Sequence, residues 1–315
     1  MANNNLVAVT GCAGFIGSHL SEKLISEGYK VIGIDNFSPY YDRSLKERNL
    51  DTFVNHENFD FYEADLTDYN LKDLFKGVST VYHLAAQAGV RYSWEDFQQY
   101  VNDNIIATQK ILESCKENSC KLVFASSSSV YGDAELPEKE DMDLNPISPY
   151  GLTKKSCEEL IKIYHDTFGL KAALLRYFTV YGPRQRPDMA INKFTGKVLN
   201  EEEITIYGDG EQSRDFSYVE DIIDGTHSAG KKDIDFDIFN LGTGHKITVN
   251  KLVELLSNEA GVEPKIKHIE EQPGDVKHTL ADTSKAEKKL DYKPSVKIEE
   301  GIKLYLNWYK KEGMK

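Results

Sequence analysis

The segment Thr10-Gly11-Cys12-Ala13-Gly14-Phe15-Ile16-Gly17 restricts the fold of this chain more than any other. It follows an apolar run, residues 6–10, and opens an amphipathic stretch, residues 16–27. Glycines at such a junction permit a tight turn and bring main chain close to a pyrophosphate resting on the helix N-terminus. A second apolar run, residues 30–34, ends at Asp35, where a carboxylate can accept hydrogen bonds from an adenosine ribose. A merely tight turn would account for the glycines but not for Asp35. Asn36 follows with no adjacent Arg or Lys to meet a 2′-phosphate, so NAD is expected rather than NADP. Asp65-Leu66, after a third run at 59–62, is expected beside the adenine, although a helix cap explains Asp65 equally well. The expected cofactor cradle is therefore Gly11, Gly14, Phe15, Ile16, Gly17, Asp35, Asn36, Asp65 and Leu66.

The alternation continues. Apolar runs at 81–84, 121–125 and 172–176 are separated by helically spaced stretches at 71–75, 101–115 and 150–168. Such βαβ grammar predicts a Rossmann-type, doubly wound parallel sheet with ligands outside the strand carboxyl ends. From about Tyr181 the punctuation thickens, through Gly182-Pro183, Arg186-Pro187 and Gly208-Asp209-Gly210. We expect an NAD-binding domain over 1–180, with a segment near 215–245 returning to it, and a smaller interleaved substrate lobe over 181–315. An amphipathic stretch at 298–311 places Tyr305 and Trp308 on its apolar face, as core.

A net charge of −13 without a basic block argues against nucleic acid or an anionic membrane as partner. Four cysteines without zinc-like spacing read as small buried thiols, and no metal site is expected. The chain opens Met-Ala-Asn-Asn-Asn and enters a strand, with no signal, transit or membrane-spanning segment, so a cytoplasmic protein is expected.

Tyr150 and Lys154 are spaced to share one helical face, and Ser126-Ser127-Ser128-Ser129-Val130-Tyr131-Gly132 precedes them. A phenol is a poor base at neutral pH; an ammonium one turn away and a positive nicotinamide ring would stabilise its phenolate. Ser127 can hold the same substrate oxygen. His83, ending an apolar run, reads as a satisfied core histidine.

Together with His83-Leu84-Ala85-Ala86, Ser148-Pro149-Tyr150-Gly151, Arg176-Tyr177-Phe178-Thr179-Val180-Tyr181-Gly182-Pro183, Ile206-Tyr207-Gly208-Asp209-Gly210, Arg214-Asp215 and Pro273-Gly274-Asp275-Val276, these motifs resemble the extended short-chain dehydrogenase/reductase superfamily. The likeness is to its nucleotide-sugar epimerase/dehydratase branch and spans essentially the whole chain. It implies an NAD that takes hydride from carbon 4 of a nucleotide hexose while Tyr150 takes the hydroxyl proton. It also implies Tyr150, Lys154 and Phe178 among the cofactor contacts, Phe178 beside the nicotinamide, Ser127, Ser128 and Ser129 among the substrate contacts, and a homodimer through a four-helix interface built from 101–115 and 150–168.

Dehydratases of this branch carry an Asp-Glu pair before the Val-Tyr-Gly, and uronate decarboxylases a Glu; here Ser128 and Ser129 stand there. Without a second acid or base, return of the hydride to the other face of the ring is the simplest course. The stretches Asp35 to Asp42, Ala85 to Ser93 and Tyr181 to Met189 are similar to UDP-glucuronate 4-epimerases, in which Arg186 would receive the carboxylate of a UDP-uronate. Thr179 replaces the Asn of many UDP-glucose 4-epimerases. Arg186 binding a phosphate or a surface carboxylate is the plainer alternative. Further substrate contacts implied are Arg91 and Lys193 near the diphosphate, Arg214 on the diphosphate or ribose, Asp275 on the uridine ribose and Tyr207 on the uracil, unless Tyr207 only packs its loop. The expected activity is NAD-dependent conversion of UDP-glucuronate to UDP-galacturonate. A UDP-glucose or N-acetylhexosamine 4-epimerase, a UDP-glucuronate decarboxylase and a non-enzymatic NAD sensor are the rivals.

Overall fold

A computed structural model describes residues 5–270 and 276–313. The apolar runs of the first half become β1 (Leu6–Thr10), β2 (Lys30–Asp35), β3 (Phe59–Glu63), β4 (Thr80–His83), β5 (Lys121–Ser127) and β6 (Ala172–Tyr177). All but the edge strand β3 are largely buried on both faces, as parallel strands under helices must be. The second half supplies β7 (Thr179–Tyr181), β8 (Glu203–Tyr207), β9 (Ser213–Tyr218), β10 (Phe236–Leu241), β11 (Lys246–Thr248) and β12 (Lys265–Ile269). A seven-stranded sheet runs β3-β2-β1-β4-β5-β6-β10, all parallel. Its strand order reverses between β1 and β4, the crevice where such sheets bind ligands.

β10 joins the large sheet beside β6, with Asn240 in register with Arg176. The chain then leaves for a three-stranded sheet, β11-β9-β7, and a two-stranded one, β12-β8. Helices Ala190–Leu199, Val249–Ala260 and Ile298–Trp308 pack on these around Ile191, Leu252, Leu256, Ile302 and a fully buried Tyr305. Trp308 is packed against the same cluster. A last crossing brings Ala286, Leu290 and Tyr292 into the core under the large sheet.

Two helices depart from expectation. The stretch foreseen at 101–115 begins at Phe97 and passes through a wide π turn, Val101–Ile106, before the regular helix Ala107–Asn118. In that turn Asn104 bonds Gln87 through both its oxygen and its amide nitrogen, and also reaches Thr153. A side chain engaged with neighbouring backbone stabilises such a bulge. The stretch foreseen at 298–311 is regular only to Trp308, and Tyr309–Gly313 is again a π turn. All four cysteines are buried and free. Among the described residues no helix is long and apolar enough to cross a membrane.

Candidate active site

Gly11 takes a φ of +71° and donates its N–H to the Ile34 carbonyl at 2.8 Å, joining the ends of β1 and β2. A Cβ at Gly17 would stand 2.0 Å from the Gly11 oxygen, so only hydrogen fits where helix Phe15–Ser26 meets the turn. Gly14 caps that helix without a side-chain hydrogen bond, which leaves first-turn N–H groups for an anion. Asp35 is buried; its Oδ2 accepts from Ala13 N at 3.1 Å and its Oδ1 from Phe37 N at 2.9 Å. Burial pushes its carboxyl up, against the pull of the Lys46 charge and these two N–H groups. Ribose hydroxyls donating to the remaining lone pairs would relieve that penalty. Asp65 Oδ1 accepts from Thr67 N at 2.9 Å, which caps a turn rather than the helix foreseen, while the residue lines the crevice and its Oδ2 takes Asn36 Nδ2 at 2.9 Å. The turn, the free helix start and the buried acid fit NAD.

One continuous cavity runs from Gly11, Phe15, Ile16 and Leu66 past Ser127, Tyr150, Lys154 and Phe178 to Thr179 and Arg186. Tyr150 and Lys154 sit in the first turns of helix Pro149–Phe168, whose start is fixed by Ser148 Oγ accepting from Gly151 N at 3.1 Å. Lys154 is almost wholly buried, donates to the Ala125 carbonyl at 2.8 Å and lies 4.9 Å from the Phe124 ring centroid. Its ammonium is thus anchored to β5, the strand that ends at Ser127. Ser127 Oγ accepts from Ser129 N at 3.2 Å and bonds Ser129 Oγ at 3.1 Å, so a short turn replaces the strand and aims the serines at the cavity.

The helix is held in place by a network that the motifs do not announce. Glu158, one more turn along the Tyr150–Lys154 face, forms a two-bond pair with buried Arg176 at 3.0 and 2.7 Å and accepts from Ser126 Oγ. Arg176 donates to Tyr131 Oη at 2.8 Å, and Tyr131 donates to Asn240 Oδ1 at 2.7 Å. The chain of bonds therefore links helix Pro149–Phe168 to β5, β6 and β10. His83 is the core histidine expected: it bonds Thr10 Oγ1 at 2.7 Å and Thr108 Oγ1 at 3.1 Å, and burial with the nearby Lys154 charge pushes its pKa down to about 3.

Sequence reasoning also missed Lys46, Tyr40 and Tyr41, which reach the cavity wall from the segment after β2. Lys46 is buried and donates to the Ser38 carbonyl at 2.8 Å. The absence of a cation adjacent to Asp35 in sequence thus did not mean absence in space. The remaining expected substrate residues lie off the cavity wall. Arg91 stacks its guanidinium 4.2 Å from the Tyr207 ring centroid, Arg214 donates to the Ser213 and Lys277 carbonyls at 2.9 and 3.1 Å, and Lys193 is exposed on helix Ala190–Leu199. Asp275 falls outside the described residues. Arg186 meets a carboxylate of its own chain, Asp188, so the plainer alternative for it is realised at one edge of the guanidinium.

A glycine turn under a Rossmann sheet, a buried acid ending the second strand and a Tyr–Lys pair beside a serine define a nicotinamide-dependent enzyme of the short-chain dehydrogenase/reductase type. The chain belongs to the nucleotide-sugar epimerase/dehydratase family described as GDP-mannose 4,6 dehydratase, whose profile matches residues 8–305. It is 44% identical over 308 residues to a UDP-glucuronate 4-epimerase of Thermodesulfobacterium geofontis, spanning 96% of this chain and 95% of that one. The crystal structure of UDP-glucuronic acid 4-epimerase from Bacillus cereus, in complex with UDP-glucuronic acid and NAD, is similar with a TM-score of 0.95 and 40% identity, covering 97% of this chain and 99% of that one. A UDP-glucose 4-epimerase of Thermotoga maritima with UDP-glucose follows at a TM-score of 0.90 and 37% identity, over 97% and 99% of the two chains.

Proposed function

We propose that this chain is an NAD-dependent epimerase that inverts carbon 4 of UDP-glucuronate, giving UDP-galacturonate through a transient 4-keto sugar. The observation that carries this is a single cavity with Ser127, Tyr150 and Lys154 at its centre, Arg186 and Thr179 on its wall, and serines at 128 and 129. When bound, NAD would supply the acceptor for the carbon 4 hydride and then its donor. Tyr150 acts as general base toward the carbon 4 hydroxyl and gives the proton back after the ring has turned. Lys154, anchored on Ala125, stabilises the phenolate. Ser127 holds the reacting oxygen. Arg186, with Thr179 and Ser128, reads the carboxylate. No carboxylic acid occupies positions 128 and 129 to drive elimination or decarboxylation.

Around this centre we assign 1–180, with the returning segment near 215–245, to NAD and 181–315 mainly to the UDP-sugar. Arg91, Lys193, Tyr207 and Arg214, off the cavity wall, would meet the uridine and diphosphate where these extend beyond it. Exposed Ile106, Leu152, Ile163 and Phe168 lie on the helices expected to pair, which supports a homodimer. Its nucleotide-linked substrates suit a cytoplasmic enzyme. The test is purified protein given UDP-glucuronate, with products separated by chromatography, beside Arg186→His. We expect UDP-galacturonate from the wild type and a loss of about 100-fold in the variant. An unchanged rate in the variant, with no UDP-pentose appearing, would remove Arg186 from the mechanism.

A further inference from the structure

Arg186 is not loose on the cavity wall. Its Nε donates to Asp188 Oδ1 at 2.9 Å and its Nη2 to Asp188 Oδ2 at 2.8 Å, a planar two-bond fork. Tyr40 Oη donates to the same Oδ2 at 3.3 Å, and the guanidinium carbon lies 5.6 Å from the Tyr40 ring centroid. Arg186 and Tyr40 line the cavity, whereas Asp188 is not on its wall. Burial raises the Asp188 carboxyl, but the Arg186 fork overrides this and holds it below the usual range, so it is a carboxylate at neutral pH.

A guanidinium carries five N–H donors in one plane. The fork to Asp188 uses two, leaving both hydrogens of Nη1 and one of Nη2 at the opposite end. Turning the guanidinium about its last side-chain bonds would break both bonds to Asp188. Its plane is therefore fixed before any ligand arrives, which is the preorganisation that orienting residues need.

We propose that Asp188 is a positioning residue: by fixing the plane of Arg186 it keeps the substrate carboxylate from being lost during the keto stage. This rests on the uronate epimerase reading above. Once carbon 4 is oxidised, the sugar is a β-keto acid. If its carboxylate stands perpendicular to the ketone plane, the bond from carbon 5 to the carboxylate carbon can break. Its electron pair then enters the ketone as an enolate, CO₂ leaves, and a proton added at carbon 5 gives a UDP-4-keto-pentose. A fixed guanidinium offers two parallel donors in a single orientation and holds the carboxylate out of the perpendicular arrangement. One free to turn would follow the carboxylate into it.

The experiment measures CO₂ released and UDP-galacturonate formed in the same reaction, for the wild type, Asp188→Asn, Asp188→Ala and Asp188→Glu. The ratio of the two products does not depend on how much of a variant folds. We expect it to rise about ten-fold or more in Asp188→Asn and Asp188→Ala. Asp188→Glu, which keeps the charge but moves the fork, should fall between these and the wild type. An unchanged ratio in the Asn and Ala variants overturns the proposal. So does loss of both products from a folded variant, because orienting a carboxylate is not required for removing a hydride. A wild type that makes no UDP-galacturonate overturns the function beneath it instead.

Discussion

The cavity is built in two ways along its length. At the cofactor end the main chain does the shaping: the Gly11 turn, the uncapped helix start at Gly14 and the approach of Gly17 to the Gly11 oxygen. At the opposite end, proposed to take the sugar, side chains from separate parts of the chain do it, with Thr179 and Arg186 on the wall beside Tyr40 and Tyr41 from the segment after β2. Main-chain shape depends on residues that are neighbours in sequence and tolerates little substitution. A wall of side chains can change its ligand through single replacements while the scaffold stays. The similarity of this chain both to proteins that act on a uronate and to one that acts on a neutral hexose fits that division.

The contrast can be broken experimentally, starting where the two ends meet. Tyr150→Phe should lower kcat by about 10²–10⁴-fold while NAD content and melting temperature stay at wild-type values; lost NAD would make the residue part of the scaffold. Next, Gly17→Ala should cost about 1–3 kcal/mol in denaturant unfolding and release NAD during purification, since its methyl would overlap the Gly11 oxygen. A variant that keeps its NAD would mean the main chain there yields more easily than its geometry implies. Thr179→Ala should be milder, about 0.5–1.5 kcal/mol, read as a raised KM for UDP-glucuronate with NAD retained.

A further effect concerns pH. Folding depresses the His83 pKa from 6.5 to about 3, so this group stabilises fully above 6.5 and its contribution drains away as pH falls toward about 3. Melting temperature measured across that window should fall less steeply in His83→Gln than in the wild type. Parallel slopes would show that other groups dominate acid unfolding.

Much of the cofactor end was legible because its parts are contiguous or regularly spaced: the glycine turn, Asp35, the serine run, and Tyr150 with Lys154 at helical spacing. Helix Arg43–Leu50 was missed since its polar sequence has no apolar stripe; it starts on the side chain of Asp42, which accepts from Ser44 N. Lys46 went with it. Glu158 was invisible for another reason: a carboxylate on an amphipathic helix reads as solvated surface until its buried partner, Arg176, is seen. Asp188 is two residues from Arg186, and nothing in that spacing says whether the pair will close or splay.

The late strand β10 has a consequence for how the enzyme comes into being. Asn240 completes the bond chain through Tyr131 and Arg176 to Glu158 and the helix that bears Tyr150. During synthesis, β1 to β6 leave the ribosome first, with β6 as an open sheet edge. Only when residues 236–241 emerge does that edge close, and by then β7, β8 and β9 have also been made. A nascent chain therefore has its glycine turn long before the helix that bears Tyr150 is braced through Asn240.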